Sequence, residues 1–235
     1  MEIENVPKHI GIILDGNRRF AKRLMIKPWK GHEWGSKKIE KLFRWAIECK
    51  INELTLYTLS VQNLFSRPKE ELGYLMDLFK KEIRSLKDDG RMDKYGMRIN
   101  FIGRLNLFDD ELHGLMNEVM EKTKDNNNLI INFAMAYGGQ EEVIDAVKKI
   151  SEQVKNGNFD INKINEESFK DFLYMKDSPE LIIRTGGEKR TSNFLPYQSA
   201  YSEWIFIEKM WPEFEKEDFV ECIHEFGNRQ RRFGR

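Results

Sequence analysis

Two stretches far apart in the chain decide the fold: residues 9–19, which read HIGIILDGNRR, and residues 182–193, which read IIRTGGEKRTSN. Each is a short apolar run that ends abruptly in glycine and charged residues. In an α/β protein such a run predicts a buried parallel strand, and ligands bind just beyond the carboxyl ends of such strands. We therefore expect both stretches to contribute to a ligand site.

The residues that follow these two runs suit phosphate. Both stretches supply arginine, whose guanidinium makes bidentate contacts to phosphate oxygens. A helix predicted to begin after Asp15-Gly16-Asn17 would add unpaired N–H groups and a partial positive charge. Asp15 itself is a carboxylate of the kind that holds a divalent metal against a diphosphate. Two anion pockets and one metal ligand indicate an enzyme that acts on two phosphorylated substrates, or on one substrate with two phosphate groups.

Taken alone, each stretch is also typical of a turn. Asp, Gly and Asn are common turn residues, and the residues 184–187 could be a strand end followed by a tight turn. For either stretch in isolation the turn is the better interpretation. The combination favours anion binding, because Arg18, Arg19, Lys22 and Arg23 follow the first turn where the helix should begin.

Composition limits the remaining possibilities. The 235 residues fit one α/β domain spanning 1–235, and 39 Lys plus Arg balance 39 Asp plus Glu, so no net field attracts nucleic acid. Cys49 and Cys222 are the only cysteines, too few for a disulfide framework and without metal-ligand spacing. The chain shows no signal peptide and no stretch apolar enough to span a bilayer. The expected location is the cytoplasm.

Strand and helix signals alternate along the chain. Apolar runs predict strands near residues 9–14, 53–59, 97–103, 129–135, 181–184 and 204–207. Helical periodicity covers about 35–49, 68–87, 109–124, 139–155 and 217–229. The alternation predicts a mostly parallel sheet of about six strands with helices on both faces. No internal repeat or interdomain linker interrupts it, which favours a single domain.

The helix predicted to begin at Pro68 has an apolar stripe at spacings of three and four. Its members are Leu72, Leu75, Met76, Phe79, Ile83 and Leu86. Packing against the sheet explains most of the stripe. The alternative is that part of it lines an apolar groove, since Met and Phe adapt to flexible apolar ligands. A phosphate site that opens beside such a wall would take a lipid phosphate.

Seven short groups of residues, spread along the chain, carry a resemblance to one protein family. They are His9 with residues 13–21; residues 31–32 with Gly35; residues 56–60 with Asn63 and 67–68; residues 132–134 with 137–139; residues 184–188 with Arg190 and 192–194; Gln198 with residues 200–201 and Glu203; and residues 211–212 with 228–234. Together they resemble the cis-prenyltransferases, the family of undecaprenyl diphosphate synthase and dehydrodolichyl diphosphate synthase. So many matches in order are not expected by chance.

The resemblance implies a homodimeric α/β fold with an apolar tunnel between the sheet and the helices. It implies a transferase that extends an allylic diphosphate, farnesyl or geranylgeranyl, by successive additions of isopentenyl diphosphate. Each addition makes a cis double bond and uses Mg²⁺, and the product is an undecaprenyl-type polyprenyl diphosphate, the precursor of a lipid carrier. Contact with a membrane would be at most peripheral, for product release.

By position, the resemblance also assigns roles to residues. Asp15 and Glu203 would be the metal carboxylates, with the partner subunit as one source of Glu203. The catalytic set is Asp15, Asn17, Ser60 and Asn63. The substrate-binding set is Gly16, Asn17, Arg18, Arg19, Phe20, Lys27, His32, Ser60, Asn63, Arg67, Arg184, Arg190 and Ser192. Of these, residues 16–19 with His32 would hold the allylic diphosphate, and Arg184, Arg190 and Ser192 would hold isopentenyl diphosphate.

Two assignments stay open. The proton lost in each condensation would pass to Ser60, to Asn17 or to a diphosphate oxygen. The tail Arg232-Phe233-Gly234 matches the family motif that completes the partner's site across the dimer, whereas composition alone favours a solvated basic tail.

Five positions depart from the family pattern: Leu14 replaces methionine conservatively, Lys189 replaces a frequent histidine or glutamine, and the other three bear on the site. Pro28 stands where the family often has arginine, so Lys27 or Lys30 would have to supply that charge. Gln62 stands where an acid is usual, in a loop with one extra residue before Arg67. Thr58 replaces a smaller residue beside the tunnel.

Three other classes of protein fit less well. A non-catalytic partner subunit of the same family would lack the metal carboxylate and the first arginine cluster, and this chain has both. An α/β phosphatase or nucleotide enzyme would show a P-loop or a paired aspartate nucleophile. The all-helical trans-type synthases need aspartate-rich clusters that Asp88-Asp89 and Asp109-Asp110 do not form.

Overall fold

Six parallel strands form the centre of the computed structural model, which describes residues 5–229. They are β1 His9–Ile13, β2 Glu53–Ser60, β3 Met97–Ile102, β4 Leu129–Tyr137, β5 Leu181–Arg184 and β6 Glu203–Phe206. Their order in the sheet is β3-β4-β2-β1-β5-β6, and every neighbouring pair is parallel. The predicted number of strands is confirmed, and the sheet described here is wholly rather than mostly parallel.

The helices alternate with the strands, as predicted. They are α1 Asn17–Arg23, α2 Gly31–Glu48, α3 Val61–Ser66, α4 Lys69–Asp88, α5 Arg91–Tyr95, α6 Asp110–Thr123, α7 Gly139–Lys155, α8 Glu166–Lys170 and α9 Lys216–Asn228. Short 3-10 helices lie at Pro28–Lys30, Leu105–Leu107, Ile161–Lys163 and Trp211–Glu213. Within residues 5–229, no helix is long and apolar enough to cross a membrane.

Apolar residues cover both faces of the sheet. Along β1, Ile10 and Ile12 join a large cluster that includes residues of α2, α4, α6 and α9, whereas Ile13 joins a second cluster. In the second cluster Tyr57 stacks on Phe194 with ring centroids 4.8 Å apart. The period of two follows from the pleat, which turns successive side chains to opposite faces. Helices cover both faces, as predicted, so the sheet is uncovered where its strands begin and end.

The segment after β2 differs from the prediction. It was expected to be a loop, and it forms the short helix α3. Ser60 begins this helix as its N-cap, because its Oγ accepts a hydrogen bond from the backbone N–H of Asn63 at 3.0 Å. Arg67 then adopts an extended backbone before Pro68, which ends α3 and lets α4 begin.

The chain changes direction in the sheet between β1 and β5. After β1 it leads to β2 on one side, and after β5 it leads to β6 on the other. The two adjacent loops therefore diverge and leave a crevice at the carboxyl ends of these strands, the usual ligand position in an open α/β sheet. Both stretches that decided the fold end at this crevice.

Candidate active site

Asp15 and Arg184 join the two loops across the crevice. Arg184 Nη2 donates to Asp15 Oδ2 at 2.8 Å, and the hydroxyl of Thr185 donates to the Asp15 carbonyl at 2.8 Å. Gly186 allows this approach, with φ at +87° and a position where a Cβ would lie 3.1 Å from the carbonyl carbon and oxygen of Asp15. A side chain at that position would separate the two loops.

The loop after β5, residues 185–193, is built around Arg184, the buried last residue of that strand. Arg184 Nη1 donates to the carbonyl of Arg190 at 2.5 Å and to Ser192 Oγ at 2.7 Å. Ser192 and Asn193 both have positive φ, at +50° and +62°. Successive N–H groups in turn conformations form concavities that bind anions, and such backbone strain gathers at functional sites. The structure thus places Arg184, Arg190 and Ser192 in one loop of suitable chemistry.

The segment after β1 is less tightly held. Gly16, with φ at +109°, begins α1, which has only seven residues, so Arg18 and Arg19 carry most of the positive charge there. Arg19 Nη2 lies 3.2 Å from Asp15 Oδ1. Asn17 donates through Nδ2 to the Leu14 carbonyl, while its buried Oδ1 has no hydrogen-bond partner among residues 5–229. An orphaned buried acceptor in a crevice indicates a place for a ligand.

A carboxylate that the sequence analysis missed organises this half of the site. Glu71 of α4 is fully buried and accepts a hydrogen bond from Arg67 Nη1 at 3.0 Å, while Arg18 Nε lies 3.6 Å from the same Oε1. A signal was present, because Glu71 lies one helical turn before Leu75 on the apolar stripe and one turn after Arg67. A charged residue at a core position of a helix needs a partner.

Arg67 also determines how His32 can act. Its Nη1 lies 3.1 Å from His32 Nε2, and because a guanidinium only donates, Nε2 is the acceptor and the ring proton is on Nδ1. Burial, together with the positive charges of Arg67 and Arg18, lowers the pKa of His32 to about 3. His32 is therefore a neutral N–H donor, which can bind an anion without titrating near neutral pH.

The unusual Gln62 has a defined partner. Its Nε2 donates to Glu141 Oε1 at 2.9 Å, and Asn193 Nδ2 donates to the other carboxylate oxygen at 2.9 Å. Glu141 at the start of α7 therefore links α3 to the loop after β5. An acid at position 62 would face this carboxylate, which explains why an amide stands there. The sequence analysis did not find Glu141, because its two partners are distant in sequence.

One cavity of about 1090 Å³ contains the crevice and extends beneath α4. Its polar end is lined by most of the predicted site residues: Asp15, Gly16, Asn17, Arg18, Arg19, His32, Ser60, Asn63, Arg67, Arg184, Arg190 and Ser192. Its apolar end is lined by Ile39, Phe43, Leu75, Leu78, Phe79, Ile83, Leu86, Phe101, Phe133 and Met135. Such a volume lies just above the usual range for small-molecule sites, about 300–1,000 Å³. An elongated apolar group attached to an anionic head would match both ends.

Three predicted site residues do not line this cavity. Phe20 is buried against Trp34, with ring centroids 5.6 Å apart. Lys27 pairs with Glu70 at 3.2 Å and lies over the Trp29 ring, so it does not replace the charge that Pro28 lacks. Glu203 is the third, and its position follows from the direction of the strands.

Glu203 begins β6, at the opposite end of the sheet from Asp15. It is paired in register with Leu181, and Leu181 with Ile10, so Asp15 lies five residues further along, roughly 16 Å at the rise of a strand. Arg229 Nη1 donates to Glu203 Oε2 at 2.6 Å. Within one chain the two predicted metal carboxylates therefore do not meet. The predicted tail motif Arg232-Phe233-Gly234 lies outside the described residues.

Asp15 fits a magnesium ion as a single protein ligand. It lines the cavity beside arginines, and residues 5–229 contain no group of three or more His, Cys, Asp or Glu side chains that could hold a metal by themselves. Mg²⁺ often keeps several waters and binds through one or two carboxylates plus substrate phosphates. A lone carboxylate in a phosphate crevice has this chemistry.

Comparison with known proteins gives the family. The undecaprenyl diphosphate synthase family model matches residues 13–234. The chain is 47% identical over 232 residues to tritrans,polycis-undecaprenyl-diphosphate synthase (geranylgeranyl-diphosphate specific) of Pyrococcus horikoshii, covering 98% of this chain and 88% of the relative. With the protein of the same description from Methanocaldococcus jannaschii, identity is 44% over 236 residues, covering 99% and 84%.

Solved structures agree. The chain superposes on lavandulyl diphosphate synthase from Lavandula x intermedia, crystallised with dimethylallyl diphosphate, with a TM-score of 0.93 and 30% identity over 98% of this chain and 99% of that one. A probable undecaprenyl diphosphate synthase from Campylobacter jejuni gives a TM-score of 0.81 and 30% identity, covering 98% and 100%. The resemblance read from the sequence is confirmed, and the chain belongs to the undecaprenyl diphosphate synthase family of cis-prenyltransferases.

Proposed function

We propose that this protein extends an allylic prenyl diphosphate by successive cis condensations with isopentenyl diphosphate, giving an undecaprenyl-type polyprenyl diphosphate. The observation that carries the proposal is the single cavity with a cationic end beside Asp15 and an apolar end beneath α4. Of the two predicted starters, geranylgeranyl diphosphate is favoured, because relatives described as specific for it match 98% of this chain.

The two halves of the site would hold the two substrates. Arg18, Arg19 and the Nδ1–H of His32 bind the allylic diphosphate, while the loop of Arg184, Arg190 and Ser192 binds isopentenyl diphosphate. The allylic C–O bond breaks and C4 of isopentenyl diphosphate forms the new C–C bond, while charge develops on the leaving diphosphate, where the arginines stabilise it. A magnesium ion on Asp15 would add positive charge at the diphosphate.

The condensation ends with the loss of a proton. Ser60 Oγ already accepts a hydrogen bond from the Asn63 backbone, whereas Asn17 Oδ1 is unpartnered among the described residues. Asn17 is therefore the better placed of the two side chains to orient the substrate. Because an amide oxygen is a very weak base, a diphosphate oxygen is the group we propose to retain the proton.

We propose a homodimer as the active unit. The distance between Glu203 and Asp15 within one chain supports this, because a second carboxylate on the metal would have to come from another copy. The cytoplasmic location stays a prediction, as does the single domain at 1–235.

The proposed activity can be tested directly. The chain is incubated with Mg²⁺, labelled isopentenyl diphosphate and either geranylgeranyl or farnesyl diphosphate, and the products are sized by chromatography. We expect a long-chain ladder from geranylgeranyl diphosphate and less product from farnesyl diphosphate. Absence of incorporation with both starters, while the protein is folded by circular dichroism, would refute the proposal.

The apolar end of the cavity can be tested as the tunnel. Leu75 and Phe79 line it, whereas Met76 on the same helix packs into the core outside it. Leu75→Ala and Phe79→Ala should shift the product ladder to longer chains, because each buried CH₂ of the growing chain gains about 0.8 kcal/mol until it meets an obstruction. Met76→Ala is the matched control and should lower stability alone. If all three variants gave the wild-type product ladder, the whole apolar stripe would belong to the core.

A further inference from the structure

Three consecutive apolar residues are exposed in the loop after α1. Leu24, Met25 and Ile26, here called the apolar tip, have 43%, 93% and 37% of their surface exposed. Single exposed apolar residues are common, but a run of three or more is unfavourable unless it serves a function. Neither the fold nor the cavity explains this run, since no member of it lines the cavity.

The loop holds the apolar tip in place. The N–H of Met25 donates to the Lys22 carbonyl at 3.0 Å, and that of Ile26 donates to the Ala21 carbonyl at 3.1 Å. Met25 has φ at +56°, a region that residues other than glycine rarely adopt and that persists only where the surrounding structure enforces it. The most exposed side chain is therefore presented by a hydrogen-bonded turn.

Positive charge surrounds the apolar tip. The segment 22–30 contains Lys22, Arg23, Lys27 and Lys30 and has no acidic residue. Arg23 and Lys27 pair with Glu213 and Glu70, whereas the ammonium groups of Lys22 and Lys30 have no ion pair among residues 5–229. Apolar side chains flanked by basic ones are the pattern of a segment that binds the surface of an anionic bilayer.

The apolar tip also lies beside the cavity. Lys22, three residues before Met25, lines it together with Arg18 and Arg19. Half-exposed Trp34 packs on Phe20 of α1, the helix that leads into this loop. Tryptophan is enriched where apolar and aqueous phases meet, because its ring is both apolar and polar.

We propose that the apolar tip inserts into the interfacial region of an anionic lipid bilayer, with Lys22 and Lys30 at the lipid headgroups. The cavity entrance then faces the membrane, so that an allylic diphosphate with a long apolar chain enters from the lipid phase. Only this consequence for the substrate rests on the proposed function. The membrane contact itself rests on exposure and charge.

The test is co-sedimentation of the full chain with vesicles of phosphatidylcholine alone or mixed with phosphatidylglycerol. We expect binding to the mixed vesicles, weakened by high salt. Met25→Asn should reduce this binding about tenfold or more, because a large apolar side chain no longer leaves water. Asparagine tolerates positive φ, so the variant should fold. Ile161→Ser is the matched control: it removes an exposed apolar residue beside Asp160 and should leave binding unchanged.

Three results would overturn the proposal. One is absence of wild-type binding to either vesicle, and another is equal binding by wild type and Met25→Asn. The third is a wild-type oligomer that Met25→Asn dissociates in light scattering, which would mean that a second copy covers the apolar tip. Prenyl transfer measured without vesicles separates the two proposals. Its absence would refute the proposed function and leave the sedimentation result standing.

Discussion

The two halves of the crevice that we propose to bind phosphate differ in how far they are organised without a ligand. In the loop after β5, the Arg184 side chain is 3% exposed and makes hydrogen bonds to Asp15, Ser192 and the Arg190 carbonyl. In the segment after β1, the Arg19 side chain is 42% exposed and the oxygen of Asn17 has no partner within the described residues. One half is built around a buried, fixed cation, and the other around a half-exposed arginine that is held by ion pairs to Asp15 and Glu188.

The difference predicts that the two halves of the crevice bind different substrates. Ordering an exposed, flexible side chain on binding costs about 0.5–1.5 kcal/mol, and Arg184 has already been ordered by folding. Through Arg184, the half after β5 should therefore hold the same small substrate in every cycle at little cost, whereas Arg190, whose side chain is 62% exposed, is ordered only on binding. The half after β1 can adapt to an allylic substrate that grows longer with each condensation.

Asp15→Ala should have the largest effect, because this carboxylate joins the two halves. The variant loses the anchor of Arg184 and the proposed metal ligand together, and we expect turnover to fall by a factor of about 10²–10³, as for the loss of one group that stabilises transition-state charge. Steady-state kinetics at saturating Mg²⁺ measure it, with a circular dichroism melt as the check of folding. Near-normal turnover would show that the halves work without this link.

Arg184→Met should destabilise the fold, whereas Arg190→Met should not. Removing the buried guanidinium takes its donors from Asp15 Oδ2, Ser192 Oγ and the Arg190 carbonyl, at a cost of about 2–4 kcal/mol in the free energy of unfolding. Arg190 is exposed and its pairing with Glu188 should contribute about 0–1 kcal/mol. Urea denaturation of both variants measures the contrast. Equal losses would contradict the rigid character of the loop after β5.

Removing one arginine at a time should raise the KM for one substrate and not for the other. Arg190→Ala should raise the KM for isopentenyl diphosphate, and Arg19→Ala the KM for the allylic substrate, each about tenfold, the value expected for one hydrogen bond to a charged group. Initial rates with one substrate varied at a time distinguish them. If each variant raised the KM values of both substrates equally, the two substrates would share a single site and the assignment of one substrate to each half would be wrong.

His32 should give the smallest effect. Its pKa of about 3, against 6.5 for free histidine, means that the unfolded chain binds a proton between these values and the folded one does not. Its contribution to the free energy of unfolding is thus fully present above pH 6.5 and declines as the pH falls toward 3. His32→Gln should flatten this decline in denaturation curves. Nitrogen-15 shifts of the wild type at neutral pH should show the Nδ1–H tautomer, and a charged ring there would contradict the assignment.

The strands and long helices could be predicted because their signals are local. The apolar runs at 9–14 and 181–184 and the stripe of α4 need no knowledge of the rest of the chain. The gathering of Asp15, Arg19, Arg184 and Ser192 at one crevice followed from a general rule, since parallel strands bring their carboxyl ends to the same edge.

Glu141 and Glu203 could not be placed in the same way, whereas Glu71 left a local signal, a carboxylate on the apolar stripe four residues after Arg67. Glu141 acquires its role from Gln62 and Asn193, which are far apart in sequence, and no local pattern records such packing. Glu203 matched a family motif, but its distance from Asp15 depends on the register of three strands. The sequence therefore predicts which segments are strands and helices, but not which distant segments come into contact.

Asp15 and Arg184 are 169 residues apart in sequence, and this separation affects how the chain folds while it is being synthesised. At about 5–20 residues per second, the ribosome needs roughly ten to thirty seconds to supply Arg184 after Asp15. During that interval β1 lacks β5 on one side, and its apolar edge is open to wrong pairing. Sheets closed by such distant partners fold slowly. The crevice is therefore among the last features to form, so an unfinished chain lacks the site that we propose for the two substrates.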